Sequence, residues 1–349
     1  MDNKNLIGGG ISYLSRNGIN VLSLFDGISC GFLALERAGI SVNRYVAYEI
    51  DKYAIEISKK NFPNIEHKGT VVGADFTQFK GFDLLIGGSP CQGFSFAGKQ
   101  LNFDDPRSKL FFEFVRALEE VKPKYFLFEN VKMKKEYEDV ISQYLGVKPI
   151  LINSNLVSAQ NRKRLYWTNI PGVTQPKDKG IMLKDIVHES EEVLPHDLDM
   201  YKVPFDKSLQ IITEEVNKGK IGYFRKDCQA NRVYSIHGKA VTLCGEAGGG
   251  AAKMGQYLFG CITPDRINKR QNGQRFNDGN KFYTLTAQDK HGILIDGYIR
   301  KLTPVECERL QTLPDGYTEC NKVTDTQRYK CLGNGWTVDV IAHILSSIN

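Results

Sequence analysis

The sequence predicts an α/β fold: a doubly wound, mostly parallel sheet with helices on both faces, joined to a second, smaller β-rich domain. Three observations predict it. Short apolar runs alternate with helical stretches over roughly the first 150 residues, the βαβαβ rhythm of an open parallel sheet. Composition changes after Gly172, where Pro176, an acidic patch at Glu189–Glu192 and Pro195 mark a linker into a stretch rich in Gly, Asn, Lys and Arg. The chain then closes on an amphipathic helix over Trp336–Ile348. A length of 349 residues accommodates one large and one small domain. The expected boundaries are 1–178, 179–319 and 320–349, the last segment returning to the first domain.

Each element has a local cause. Val21–Phe25 is apolar and precedes the turn Asp26-Gly27. Gly31–Ala38 reads as a helix stopped by Gly39. Tyr45–Tyr48 is a second strand; Asp51 caps a helix running to Asn61, before Pro63. Asp83–Ile86 is a continuous apolar run ending in Gly87-Gly88, and Ser108 caps a helix through Val121. Tyr125–Phe128 and Leu165–Trp167 are further strands. Ligands of such sheets bind beyond the carboxyl ends of the strands. The middle of the chain carries a weak internal echo, Arg232-Val-Tyr-Ser to Thr242-Leu against Arg275-Phe-Asn-Asp to Thr284-Leu285, which suggests a duplicated strand-loop unit.

Composition excludes several classes. Hydrophobic residues make up 41% and charged residues 25%, as in ordinary globular proteins. No apolar run approaches the roughly 18 residues of a membrane span, and no signal-peptide core begins the chain, so a cytoplasmic protein is expected. None of the eight cysteines forms a CxxC pair, so neither a metal site nor a redox dithiol is expected. Charge is uneven: between Lys218 and Lys301 stand 15 Lys and Arg against 6 Asp and Glu, while the whole chain is only +6. Either a polyanion partner or a solvated basic face accounts for that excess.

The chemistry concentrates in a few runs. Gly87-Gly88-Ser89-Pro90-Cys91-Gln92-Gly93-Phe94-Ser95 follows a predicted strand, which places Cys91 on a loop at the active edge of the sheet. Alone, it reads equally as a glycine-rich turn with an incidental cysteine. Phe128-Glu129-Asn130-Val131 ends the next strand at the same edge, although a lone Glu there could simply cap a helix. Gln160-Asn161-Arg162-Lys163-Arg164 places Gln160, Arg162 and Arg164 on one face by alternation, which a surface basic run would also do. Gly333-Asn334-Gly335-Trp336-Thr337-Val338 is a Gly-rich turn into the last helix.

In this order the segments resemble the DNA cytosine-5 methyltransferase family. Phe25-Asp26-Gly27 with Gly31 is similar to its first cofactor loop, and Tyr48-Glu49 and Ala74-Asp75-Phe76 to its acidic cofactor contacts. Pro90-Cys91-Gln92, Glu129-Asn130-Val131 and Gln160-x-Arg162-x-Arg164 match its catalytic signatures; Arg300–Gln311 and Gly333-Asn334-Gly335 resemble its last two motifs. The likeness covers about 19–172 and 298–349. Leu110-Phe-Phe-Glu-Phe, Leu127-Phe-Glu-Asn-Val and Trp167-Thr-Asn-Ile-Pro171 look like the animal de novo enzymes, whereas the basic middle resembles bacterial and phage single-chain methylases. The first loop, Gly27-Ile-Ser-Cys-Gly31, departs from the commoner all-glycine form, and the 20-residue leader matches no family role.

The resemblance implies a class I methyltransferase fold, with a Rossmann-like sheet, that transfers methyl from S-adenosylmethionine to C5 of a flipped-out cytosine in double-stranded DNA. Such enzymes occur in restriction–modification systems. Cys91 would be the nucleophile, Glu129 the acid at N3, Asn130 the holder of the glutamate loop, and Arg162 and Arg164 the ligands of cytosine O2 or a phosphate. Phe25, Asp26, Gly27, Glu49, Ile50, Asp75, Phe76, Pro90, Leu110, Asn334 and Trp336 would surround the cofactor. Glu49 would take the ribose and Asp75 the adenine amine, with Phe76 beside the ring. Gln92, Ser95, Gln160, Arg232 and Arg275 would meet DNA, the basic 185–297 segment reading its sequence. A prokaryotic or phage-encoded monomer is expected. The rival is an RNA (tRNA) cytosine-5 enzyme on the same scaffold, but the Cys-Phe-Thr of that branch is missing from the chain. Adenine methylases carry Asn/Asp-Pro-Pro-aromatic where this chain has Ser89-Pro90-Cys91-Gln92. A catalytically dead paralogue would not keep Cys91, Glu129 and Arg164 together.

Overall fold

The computed structural model describes residues 17–90, 109–182, 185–186 and 302–348, together with short backbone strands between 202 and 301. The described chain opens with β1 (Ile19–Leu24), α1 (Cys30–Arg37), β2 (Val42–Tyr48), α2 (Lys52–Asn61) and β3 (Glu66–His67). It continues with β4 (Leu84–Gly87), α3 (Lys109–Val121), β5 (Tyr125–Val131), α4 (Lys135–Leu145), β6 (Ile150–Asn153), β7 (Gln160–Asn161) and β8 (Lys163–Thr168). Local chemistry explains the ends. Asp51 accepts from the Tyr53 N–H at 2.9 Å to start α2, and Gly39, at φ +72°, follows the end of α1. Ser108, the expected cap of α3, lies outside the described residues.

Seven strands form one sheet in the order β3-β2-β1-β4-β5-β8-β6. The first five are parallel, and β8 pairs antiparallel with both β5 and β6. Strand order reverses at β1, which lies between β2 and β4, so a crevice opens beyond their carboxyl ends. Alternation splits the core into two layers. Leu84 and Ile86 join one apolar cluster and Leu85 the other; Leu127 points one way, Phe126 and Phe128 the other. The α3 face is aromatic, with Phe111 and Phe114 packed against Phe128.

The opposite layer is completed from far along the chain. Between 202 and 301 run β9 (Lys202–Val203), β10 (Leu209–Ile211), β11 (Lys220–Phe224), β12 (Arg232–Tyr234), β13 (Phe282–Tyr283), β14 (Gly292–Ile295) and β15 (Tyr298–Lys301). β10, β11 and β12 form an antiparallel sheet, β14, β15 and β9 another, and β13 pairs parallel with β7. Then α5 (Pro304–Leu310), α6 (Asp325–Asn334) and α7 (Val338–Leu345) return to the main sheet. Thr303 and Glu306 make a reciprocal capping box at the start of α5. Leu302, Cys307, Leu310, Leu313 and Tyr317 are buried in the same cluster as Val21 and Leu84. The return therefore begins at Leu302, not at 320: the apolar face of α5 needs the sheet to cover it. The turn expected at Gly333-Asn334-Gly335 is also corrected. Gly333 and Asn334 end α6, and the last helix is the shorter Val338–Leu345. Most of the internal echo lies outside the described residues.

Candidate active site

Hydrogen-bond register lines up the expected site residues. Leu24 pairs with Tyr48 and with Gly87, and Gly87 pairs with Phe128. The next residue on each strand is Phe25, Glu49, Gly88 and Glu129. Four segments remote in sequence thus stand side by side at the carboxyl edge of the sheet, β5 running on to Val131 against β8.

Gly88 occupies the tightest point of that row. A Cβ there would lie 2.8 Å from Glu129 Oε2 and 3.2 Å from Trp336 Nε1, so the close approach requires glycine. Ser89 is buried and Pro90 exposed. Cys91, Gln92 and Ser95 lie outside the described residues, as does Arg275. Arg232 opens β12. Cys30, Cys307 and Cys331 are buried thiols; burial pushes Cys30 and Cys331 up to about 12 and Cys307 well above its ordinary value, the behaviour of inert core cysteines.

Glu129 is buried, and two donors hold it. Arg164 Nε lies 2.9 Å from Oε1, and Trp336 Nε1–H donates to Oε2 at 3.1 Å. Asn130 is also buried. Its Oδ1 accepts from the Val131 N–H at 2.8 Å, and its Nδ2 reaches the Ser89 carbonyl at 3.5 Å, linking the ends of β4 and β5.

Two members of the Gln-x-Arg-x-Arg run face inward, contrary to expectation. Gln160 has no exposed surface; its Nε2 donates to the Leu310 carbonyl at 3.0 Å and to Gln311 Oε1 at 3.3 Å, which leaves no face for DNA. Arg162 is 4% exposed and donates to the Gly333 carbonyl at 3.3 Å and the Gly335 carbonyl at 2.8 Å, rather than meeting cytosine or phosphate. Burial, then the neighbouring Arg164 charge, pulls Arg162 down to about 9, against the pull of Glu129; at neutral pH it stays cationic. The carbonyls at the end of α6 are natural acceptors for that cation.

The cofactor residues divide similarly. Glu49 Oε1 accepts from the Ile50 and Asp51 N–H groups at 2.7 and 2.8 Å, and Oε2 from Gly27 N–H at 2.8 Å. Beside it Ile50 is 77% exposed, an apolar side chain with no cover. Asp75 is exposed, and the Thr77 hydroxyl and N–H on its Oδ1 lower its carboxyl below the usual range. Phe25 follows β1 at φ +59°, and Leu110 is half-buried in the first turn of α3. Asn334 is exposed at the end of α6. Asp26 is half-buried and accepts the hydroxyls of Ser23, Ser29 and Tyr45 at 2.6, 2.5 and 2.7 Å; desolvation raises its carboxyl. One expectation is corrected. Phe76 is wholly buried, edge-on to Tyr48 and beneath the Arg116 guanidinium at 4.4 Å, so it presents no surface to a ligand.

Sequence reasoning missed Gln311 and the Trp336–Glu129 bond. Gln311 is buried and binds the Leu332 and Gly335 carbonyls at 2.6 and 3.2 Å. The one available signal was an indole directly after a Gly-Asn-Gly run. Among the described residues no group of three or more His, Cys, Asp or Glu could hold a metal, and no helix is long and apolar enough to cross a membrane.

Comparison with known proteins places these features. The model of the family described as C-5 cytosine-specific DNA methylase matches residues 19–349. The orphan methyltransferase M.SPRI of Bacillus phage SPR is 29% identical over 431 aligned positions, covering 95% of this chain and 97% of the phage protein. The type II methyltransferase M.HhaI of Haemophilus parahaemolyticus is 28% identical, with 95% and 94% covered. Among solved structures, the Entamoeba histolytica methyltransferase EhMeth superposes with a TM-score of 0.61 at 18% identity, covering 95% of this chain and 98% of its own. The S. pombe Dnmt2 methyltransferase gives 0.54 at 18%, covering 94% and 97%. At those identities the two structures speak for the fold alone.

Proposed function

The chain belongs to the C-5 cytosine-specific DNA methylase family, and from that premise we propose that it moves a methyl group from S-adenosylmethionine to C5 of a cytosine flipped out of double-stranded DNA, through a covalent bond between Cys91 and C6. The observation that supports this best is the Glu129 carboxylate, held at the carboxyl edge of the sheet against Gly88, three residues before Cys91.

Cytosine C5 is a poor nucleophile. A thiolate pair from Cys91 forming the S–C6 bond pushes the C5–C6 π electrons toward C5 and N3. Glu129, entering the step as the carboxylic acid, gives its proton to N3 as charge gathers there, which keeps the adduct neutral and leaves the carboxylate on Arg164 and Trp336. Arg164, beside Glu129, offers a donor fork for O2. S-adenosylmethionine, when bound, supplies the electrophilic methyl that C5 accepts. A side-chain base or water takes the C5 proton, the C5–C6 double bond re-forms as the S–C6 bond breaks and the thiolate is expelled, and Glu129 recovers the N3 proton. Flipping costs a few kcal/mol, which phosphate contacts from the basic middle segment offset.

The acceptors suit the cofactor. Glu49 has three N–H donors for about four lone-pair sites, which leaves an acceptor for a ribose hydroxyl beside the exposed Ile50. Glu49→Ala is expected to weaken S-adenosylhomocysteine binding by about 10- to 100-fold, the effect of losing a charge-assisted hydrogen bond. Titration calorimetry giving an unchanged Kd would remove Glu49 from the site.

5-Fluorocytosine tests the whole reading. Fluorine cannot leave C5 as a cation, so an oligonucleotide carrying it at the methylated position, mapped first by bisulfite sequencing, is expected to stay bonded to Cys91 in a denaturing gel. Trapping is expected to need S-adenosylmethionine. Peptide mapping of the adduct to Cys30 or Cys244, or no adduct on a proven target, would overturn the covalent route; adducts on RNA alone would overturn DNA as substrate.

A further inference from the structure

Each oxygen of Glu129 has its own donor: Arg164 Nε on Oε1 and the Trp336 indole on Oε2. We propose that Trp336 is a positioning residue for Glu129, and that the Gln160–Arg164 run orients this carboxylate by two routes. Arg164 acts on it directly; Arg162 acts through Gly335 and the indole that follows. The inference rests on the reading of Glu129 as the group that meets cytosine N3.

The mount of the indole is rigid on both sides. The Gly335 carbonyl accepts from Arg162 Nη2 at 2.8 Å and from Gln311 Nε2 at 3.2 Å. Thr337 Oγ1 donates to Gln311 Oε1 at 2.9 Å and accepts from Ser154 Oγ at 2.8 Å, while Gln160 Nε2 reaches the same Gln311 oxygen at 3.3 Å. These groups are buried, so each bond is expensive to break. The ring itself lies in a slot between two glycines. A Cβ on Gly88 would meet Nε1 at 3.2 Å, and one on Gly31 would meet Cζ3 at 3.5 Å. The indole thus runs from α1 to the catalytic edge with its N–H end at Glu129.

A glutamate needs such help because its terminal torsion is soft. One donor fixes one oxygen and leaves the plane free to turn. Two donors on different oxygens fix the plane, and each oxygen keeps a further lone pair toward the base. Misplacement of a reacting group by about 1 Å can cost around 100-fold in rate. The inward turn of Gln160 and Arg162 then has a purpose in the reaction: they build the mount.

Trp336→Phe keeps most of the ring and removes the N–H. It is expected to lower kcat by about 10- to 100-fold, with KM for DNA within about threefold of wild type. In a Glu129→Gln background the same change is expected to cost less than about threefold, because the group it positions is already impaired. Equal losses in both backgrounds would mean packing alone and overturn the proposal. Wild-type kcat in Trp336→Phe, with Glu129→Gln inactive, would overturn it while sparing the role of Glu129. Wild-type kcat in Glu129→Gln would remove that underlying role and the proposal with it. If Trp336→Phe does not fold, the indole N–H resonances decide. The chain has two tryptophans, and the Trp167 indole donates to Ser142 instead. Glu129→Ala is expected to shift the Trp336 signal and leave that of Trp167 in place; an unmoved Trp336 signal would overturn the proposal.

Discussion

Cys91→Ser is expected to abolish methyl transfer while cofactor affinity stays near wild type. A serine hydroxyl is almost wholly protonated at neutral pH and is far harder to ionise than a thiol, so addition to C6 stops. Of the four described cysteines, Cys30, Cys307 and Cys331 are buried in the core and offer no substitute; Cys320 is half-buried. Tritiated methyl incorporation and calorimetric cofactor binding, measured on the same preparation, check this. Turnover within about tenfold of wild type, a difference of only ~1.4 kcal/mol in barrier, would end the assignment of Cys91 as nucleophile.

Glu129→Gln is expected to cost ~100- to 10,000-fold in kcat, the usual worth of a positioned general acid. The amide is nearly isosteric, but it cannot protonate N3 as a carboxylic acid does. Its oxygen can serve only one of the two donors now bound, Arg164 or Trp336, and its NH₂ faces the other. Single-turnover kinetics with saturating DNA separates the chemical step from binding. A variant whose single-turnover rate matched wild type would show that N3 is protonated from elsewhere.

Much of the site was legible because its signals are local. A Pro-Cys-Gln run after an apolar strand, Glu-Asn-Val after the next, and an acidic residue after β2 all place chemistry at strand ends. The register of β2, β1, β4 and β5 brings Glu49, Phe25, Gly88 and Glu129 into one row. Asp51 and Gly39 bounded their helices for equally local reasons. The same reasoning failed where partners are distant. Alternation grouped Gln160, Arg162 and Arg164, but periodicity cannot say what each of them meets.

The sequence by itself determined the sheet-and-helix class, the family, the order of the motifs and the strand ends that carry them, since each depends on neighbours within a few residues. Only the tertiary structure decided which polar groups are spent inside. Asp26 accepts the hydroxyls of Ser23, Ser29 and the more distant Tyr45. Gln160 and Arg162 bind carbonyls 150 and 173 residues away, and Trp336 reaches Glu129 across 207. A buried donor takes whatever acceptor the packing brings within about 3 Å, and that partner is chosen by the return of 302–348 to the sheet.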